Sequence, residues 1–358
     1  MNRLTRYDND GVELVIDSQT APDDRPIAFP TQKKAKQMIG WDLFSGIGGI
    51  KCGMALAGIK PVLGVELDPR DRKLSEAFIE IHLMNGWKGT RLVTVQEFAD
   101  CGCPVLPRNA DIAHISPVCA DYSVATNGTH RRNENQAMIR ASMDAIEIGM
   151  PRCFTLEQVP MYRKSPEFAY MRDRAVAIGY TVNSTVLNIG AAFGQFRQRL
   201  IVTAALNANW ESPIQPEIHS WYDAINEFIP ALDPIGPTPR QQQAAIDWQA
   251  RNPDKLEMPL YVERVTCDKK PRARGQMELI PTLMKSKFRD GSNNGRSKVS
   301  CLYLPSTGDW LNLNLEAYAR LSGFPDTFRY LNTPIVGAGF GYSVPPLFYA
   351  SLLRTMPI

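Results

Sequence analysis

The chain has 358 residues, 44% of them hydrophobic, and a formal net charge of +3. That suits one large α/β domain plus a smaller one, and no apolar run approaches the ~18 residues of a membrane span. Seven cysteines, odd in number and scattered, argue against a secreted disulfide framework. Cys101-Gly102-Cys103 lacks a second pair at zinc-site spacing, so no metal is expected.

Residues 1–37 lack periodicity, contain Pro22, Pro26 and Pro30, and read as an N-terminal extension. Met1 to Asp10 is polar and has no signal-peptide apolar core, so a cytoplasmic protein is expected. From Met38 a βαβ rhythm begins. Met38 to Phe44 reads as a buried strand, and Gly46, Gly48 and Gly49 turn it into a helix that ends near Gly58. Val62 to Glu66, Leu92 to Val95, Asp111 to Ile115 and Cys153 to Leu156 are strand-like. Ile139, Met143, Ile146 and Met150 make one helical stripe, and Phe168, Met171, Ala175 and Ile178 another. Thr181 to Asn188 and Arg199 to Ala205 are rich in β-branched residues. Strands alternating with helices predict an α/β fold, a doubly wound, mostly parallel sheet, over 38–206.

The rhythm stops near Asn207. The stretch 207–300 is rich in proline and charge and reads as a second, smaller domain or a long insertion. Between Tyr261 and Ser300 stand ten basic and four acidic residues, a local excess of +6. Such a surface can neutralise phosphates, or it can simply be a solvated face. Residues 301–358 regain helical character around Leu313 to Leu321 and in Val344 to Leu353, which reads as a docking helix.

Several short strings carry chemistry. A glycine-rich turn after a strand lets backbone approach a ligand and aims helix N–H groups at it. Glu66, twenty residues after Gly46, could accept hydrogen bonds from ribose hydroxyls. Cys119 follows a strand, where a nucleophilic thiol would be exposed, although the chemistry alone does not choose among seven cysteines. Glu157 ends a short apolar strand. In Gln195-Phe196-Arg197-Gln198-Arg199, strand alternation would put Arg197 and Arg199 on one face.

These strings, in their order and spacing, resemble the cytosine carbon-5 methyltransferase family. The carriers are Asp42-Leu43-Phe44-Ser45-Gly46-Ile47-Gly48-Gly49, Ser116-Pro117-Val118-Cys119, Leu156-Glu157-Gln158-Val159, the Gln-x-Arg-x-Arg string and Arg320-Leu321-Ser322-Gly323-Phe324-Pro325-Asp326, with Gly341-Tyr342-Ser343-Val344-Pro345-Pro346 at the end. The resemblance covers roughly 38–206 and 280–358. It implies a Rossmann-like methyltransferase sheet, with 207–300 as a variable target-recognition region and 301–358 returning to the catalytic domain.

It also implies S-adenosylmethionine as cofactor. Asp42, Phe44, Ser45, Gly46, Gly48, Gly49, Glu66, Leu67, Asp68, Pro117, Ser343 and Val344 would line its site, with Phe44 packing on it. The substrate would be double-stranded DNA, and a monomer is expected. Cytosine carbon-5 attacks a methyl sulfonium only after a thiolate adds to carbon-6. Cys119 would supply that thiolate, Glu157 would engage ring nitrogen 3, and Arg197 and Arg199 would hold the flipped base and its phosphate. Ser123, Gln158 and Gln195 would contact the substrate, as would Lys269, Lys270, Arg272, Arg274, Lys285 and Lys287 in the recognition region.

The chain departs from the family pattern at Val118 (proline), Ala120 (glutamine), Gln158 (asparagine) and Tyr342 (asparagine). Gln158 is one methylene longer, so the brace it gives the cysteine loop has to be rebuilt. These departures keep open an RNA or modified-cytosine transferase on the same fold, or a degenerate homologue that only binds DNA.

Overall fold

The computed structural model describes residues 5–7, 13–15, 36–118, 132–263, 270–283 and 300–357. The chain divides into two compact units, residues 1–36 and 37–358. In the first, strands β1 (Thr5–Tyr7) and β2 (Glu13–Val15) pair antiparallel, with Thr5 opposite Val15. The expected extension thus contains one antiparallel strand pair.

In the second unit, β3 (Ile39–Leu43), α1 (Gly49–Leu56), β4 (Lys60–Val65), α2 (Arg72–Met84), β5 (Thr90–Arg91), α3 (Val95–Asp100) and β6 (Ile112–Ile115) follow in turn. Then come α4 (Arg132–Gly149), β7 (Cys153–Gln158), α5 (Pro166–Ala177), β8 (Tyr180–Asn188), β9 (Gln195–Phe196) and β10 (Gln198–Leu206). Seven of these strands form one sheet in the order β5-β4-β3-β6-β7-β10-β8. The five from β5 to β7 are parallel, and β10 lies antiparallel between β7 and β8. The sheet is mixed and mostly parallel, as the alternation predicts.

Two local readings differ. Leu92 to Val95 is not a strand: β5 stops at Arg91, and Val95 opens α3. Thr94 accepts from the Glu97 N–H while Glu97 accepts from the Thr94 N–H, a capping box that starts a helix there. Helix α2 has its own stripe, Leu74, Phe78 and Ile81.

Side chains alternate between the two faces of the sheet. Trp41, Leu43, Ala113 and Ile115 point into a core shared with α3, α4 and α5. Ile112 and Ile201 point the other way, into a core with Ile50 and Met54 of α1.

The smaller subdomain begins with α6 (Pro239–Arg251), set by Thr238 capping the Gln241 N–H and by proline at the first turn. Strands β11 (Leu260–Val262), β12 (Ala273–Arg274), β14 (Cys301–Leu304) and β15 (Asp309–Asn312) make a four-stranded sheet, order β12-β11-β14-β15. Strand β13 (Ile280–Pro281) pairs instead with β9. Two strands of the small sheet therefore lie past residue 300.

Helix α7 (Leu315–Leu321) leads to α8 (Pro334–Tyr342), and α9 (Pro346–Leu353) returns to the large sheet. The expected docking helix is α9, and an extended Ser343 separates it from α8. Pro345 and Pro346 make that break, since neither supplies an N–H to continue α8. Helix α9 packs on α1 where Gly53 lets Tyr349 approach: a Cβ at Gly53 would stand 2.9 Å from the tyrosine.

Candidate active site

The turn from β3 into α1 has positive φ at Phe44 (62°), Gly46 (51°) and Gly48 (97°). Crowding fixes two of its glycines. A Cβ on Gly48 would stand 2.6 Å from Trp87 and 2.9 Å from His82, and one on Gly49 only 1.8 Å from Ser343 Oγ. The turn is therefore clamped between α2 and the Ser343-Val344 segment. Beside Gly46 there is open space, and no side chain caps the N-terminus of α1.

Glu66, buried at the end of β4, accepts from the Gly46 N–H (2.8 Å) and the Ser75 hydroxyl (3.0 Å). Burial pushes its carboxyl up, and those two bonds pull it back. Leu67 and Asp68 follow half-buried, and Arg70 Nε lies 2.9 Å from Asp68. Ser45 donates from its N–H to the Val65 carbonyl and from its hydroxyl to the Asp42 carbonyl. Asp42 itself is fully buried, and neither carboxylate oxygen meets a hydrogen-bond partner among the described residues. An open backbone cradle, a carboxylate at its rim and a second, fully buried acid beneath it fit a cationic nucleoside cofactor.

The second group stands at the ends of β6 and β7. The register Ile115–Leu156 sets Ser116 beside Glu157, and the Ser116 hydroxyl donates to Glu157 Oε2 at 3.0 Å. Arg199 Nε approaches Glu157 Oε1 to 2.7 Å, an ion pair without the alignment of a hydrogen bond. The Gln158 amide donates to the Pro117 carbonyl and accepts from the Val159 N–H. The extra methylene of Gln158 thus spans to the segment leading into Cys119, and the brace is rebuilt. Cys119 and Ser123 lie outside the described residues.

Arg197 and Arg199 do not share a strand face. Strand β9 ends at Phe196 and β10 begins at Gln198, so the chain breaks at Arg197. Arg197 is buried, and its guanidinium donates to the carbonyls of Gly341 (2.8 Å), Tyr342 (3.1 Å) and Ser343 (2.9 Å). It clamps the C-terminal segment, whereas Arg199 stands beside Glu157. Gln195 is likewise turned inward, donating to the Leu321 carbonyl and accepting from the Leu283 N–H. Its expected substrate contact gives way to a structural one, because the buried amide is already claimed by backbone.

In the small subdomain, Lys270 and Arg272 are exposed and Arg274 half-buried, 3.5 Å from Glu263. The four line a surface cavity of about 670 Å³. Lys269, Lys285 and Lys287 lie outside the described residues. Among the described residues no group of His, Cys, Asp and Glu could hold a metal ion, and no helix is long and apolar enough to cross a membrane.

Sequence reading missed Ser116 and Ser75, which bond the two acids, and Lys51, buried in α1. Lys51 stands three residues before Met54 on α1, amid a largely apolar helix, a position that could have flagged it.

A family model described as C-5 cytosine-specific DNA methylase matches residues 38–356. The chain is 23% identical to the Type II methyltransferase M1.HphI of Haemophilus parahaemolyticus, over 88% of this chain and 85% of that protein. It is 28% identical to the Type II methyltransferase M1.BsuMI of Bacillus subtilis over 52% of this chain, which spans 45% of that relative's length. In fold it resembles the Entamoeba histolytica methyltransferase EhMeth, with TM-score 0.60, 15% identity and coverage of 90% and 98% of the two chains. The S. pombe Dnmt2 methyltransferase gives TM-score 0.55 and 14% identity, covering 90% and 100%.

Proposed function

The chain belongs to the C-5 cytosine-specific DNA methylase family, and from that premise we propose that it is an S-adenosylmethionine-dependent methyltransferase acting on carbon-5 of a cytosine flipped out of double-stranded DNA. The observation that carries the reading is Glu157, held between Ser116 and Arg199 and joined through Gln158 to the segment that delivers Cys119. Its Type II methyltransferase relatives support a cytoplasmic setting in a bacterial or phage-infected cell.

Cys119 adds as thiolate to cytosine carbon-6, and Glu157 binds ring nitrogen 3, where the displaced electron density collects. Arg199 fixes the Glu157 carboxyl, and Ser116 orients it from the other side. S-adenosylmethionine, when bound, supplies an electrophilic methyl group on its sulfonium. Loss of the carbon-5 proton then expels Cys119 by β-elimination. The Gly46–Gly49 turn, Glu66 and Asp68 hold the cofactor, while Arg197 keeps Ser343 and Val344 against that turn. Residues 207–300, extended by β14 and β15, form the target-recognition region, with Lys270, Arg272 and Arg274 facing the DNA.

The test is methyl transfer from labelled S-adenosylmethionine to DNA and, in parallel, to tRNA, with Cys119→Ser beside the native chain. Cysteine-dependent 5-methylcytosine in DNA is expected, together with a trapped adduct on a fluorocytosine duplex. Transfer confined to tRNA would move the substrate to RNA. Binding to DNA with neither transfer nor adduct would make the chain a binding protein.

A further inference from the structure

Pairing across five strands sets Thr90, Gly64, Asp42, His114 and Thr155 in one register row. In-register neighbours on parallel strands point to the same face. The row is polar inside an apolar core. Tyr349 of α9 meets Thr155 Oγ1 at 2.8 Å, and Thr155 Oγ1 meets His114 Nδ1 at 2.8 Å.

Lys51 of α1 enters the row at its glycine. A Cβ on Gly64 would stand 2.2 Å from Lys51 Nζ, so Gly64 leaves the space that the ammonium fills. The ammonium donates to Thr90 Oγ1 and lies 3.5 Å from His82 Nδ1. Lys51 is 1% exposed, the one buried lysine among the described residues. A charge so buried is costly unless opposite charges face it. Here those charges are Asp42 and Glu66.

Of the other titratable groups around the cluster, Asp68 pushes the Glu66 carboxyl up and is itself paired with Arg70, while the histidines and Tyr349 favour their neutral forms. Burial pushes His82 and His114 down and Tyr349 up. Two acids against one ammonium allow the cluster a negative charge, which burial opposes. S-adenosylmethionine carries an ammonium, a sulfonium and a carboxylate, one net positive charge.

We propose that Lys51 is a positioning residue of the cofactor site: its buried ammonium, set at Gly64 beside Asp42, favours the charged forms of Asp42 and Glu66, so that the glycine turn above them meets the cationic methyl donor with more negative charge than burial by itself would leave. Burial and, less strongly, Glu66 push the Asp42 carboxyl up to about 7, and Lys51 is the largest influence opposing that rise. Gly64 and Thr90 serve the same end, one by leaving room and the other by fixing the ammonium. The demethylated product has lost the sulfonium charge, so the cluster favours donor over product.

This rests on the Gly46–Gly49 turn as the S-adenosylmethionine site. Titration calorimetry of the full chain with S-adenosylmethionine, from about pH 6 to about pH 8.5, tests it. Native affinity is expected to change less than about threefold above pH 7. Lys51→Met is expected to bind about tenfold more weakly near pH 7 and to recover as the pH rises, because Asp42 then ionises without its counter-charge. Lys51→Gln, which keeps a donor for Thr90, is expected to behave alike. Native affinity in both variants, or a loss of equal size at every pH, would overturn the proposal. If the Lys51 variants do not fold, Asp42→Asn is the second measurement: weakened binding that no longer changes with pH is expected, and native binding would overturn the proposal. Absence of binding by the native chain at every pH would instead remove the cofactor assignment, and the proposal with it.

Discussion

Arg199 Nε lies 2.7 Å from Glu157 Oε1, and both side chains are largely buried, 17% and 8% exposed. The pair joins β10 to β7 at the edge where the cysteine segment leaves β6. Because β10 runs antiparallel to β7, Arg199, at the start of one strand, meets Glu157, near the end of the other. Glu157→Gln keeps the shape and removes the charge and the acid. Turnover of DNA is expected to fall about 10²- to 10⁴-fold with S-adenosylmethionine affinity unchanged. Single-turnover kinetics beside calorimetry check this, and a rate near native would remove Glu157 from the chemistry.

Arg197 acts elsewhere. Its guanidinium holds three carbonyls of the segment that closes on Gly49. Hydrogen bonds to a charged group contribute about 1.5–3 kcal/mol each, and orphaned carbonyls add to the loss. Arg197→Ala is expected to cost about 3 kcal/mol or more in urea unfolding, and Arg197→Lys, with one donor head in place of a planar fork, an intermediate amount. Full stability in the alanine variant would contradict the clamp.

Two glycines of one turn should respond differently. At Gly49 a methyl group collides with Ser343, so Gly49→Ala is expected to destabilise by about 1–3 kcal/mol and to weaken cofactor binding. At Gly46 the space is open and only the positive φ resists, so Gly46→Ala should cost about 1–2 kcal/mol of backbone strain. Thermal unfolding and calorimetry on both variants make the comparison. Equal behaviour would mean that the Ser343 contact does not shape the turn.

Acid should weaken the fold through its buried histidines. Burial pushes His114 down to about 3, whereas the unfolded chain titrates near about 6.5. Between these values the unfolded state binds the extra proton, so stability rises with pH there and is lost as the pH falls from about 6.5 toward 3. His82 is shifted the same way, by burial and by Lys51. Urea midpoints measured across this window should fall with pH, and His114→Phe should flatten the slope. An unchanged slope in that variant would assign the acid sensitivity to other groups.

Much of this molecule was legible in one dimension. The order of strands and helices from Met38 to Ala205 follows from runs and stripes of apolar residues, because burial on a sheet or a helix face imposes periods that survive in sequence. The strings at Asp42 and Glu157 are local, since each sits on a single strand end. Thr94 and Glu97 were equally readable as a capping box, and the strand reading of Leu92 to Val95 overlooked it. Val118, Gln158 and Tyr342 were visible as departures, but not how the fold answers them. That Gln158 reaches the Pro117 carbonyl depends on the spacing of β6 and β7.

Sequence by itself determined the architecture and the candidate nucleophile, acid and cofactor turn, because these depend on neighbours along the chain. Tertiary structure decided which charges stand together. Arg197 and Arg199, two residues apart, serve different partners because β10 starts between them and the C-terminal segment packs against the break. The Lys51 ammonium stands in the row of Asp42 because in-register pairing places Gly64 beside Asp42 and Gly64 leaves room for an ammonium. Such pairings join elements distant in sequence, and the register of a parallel sheet is fixed by packing rather than by any short pattern.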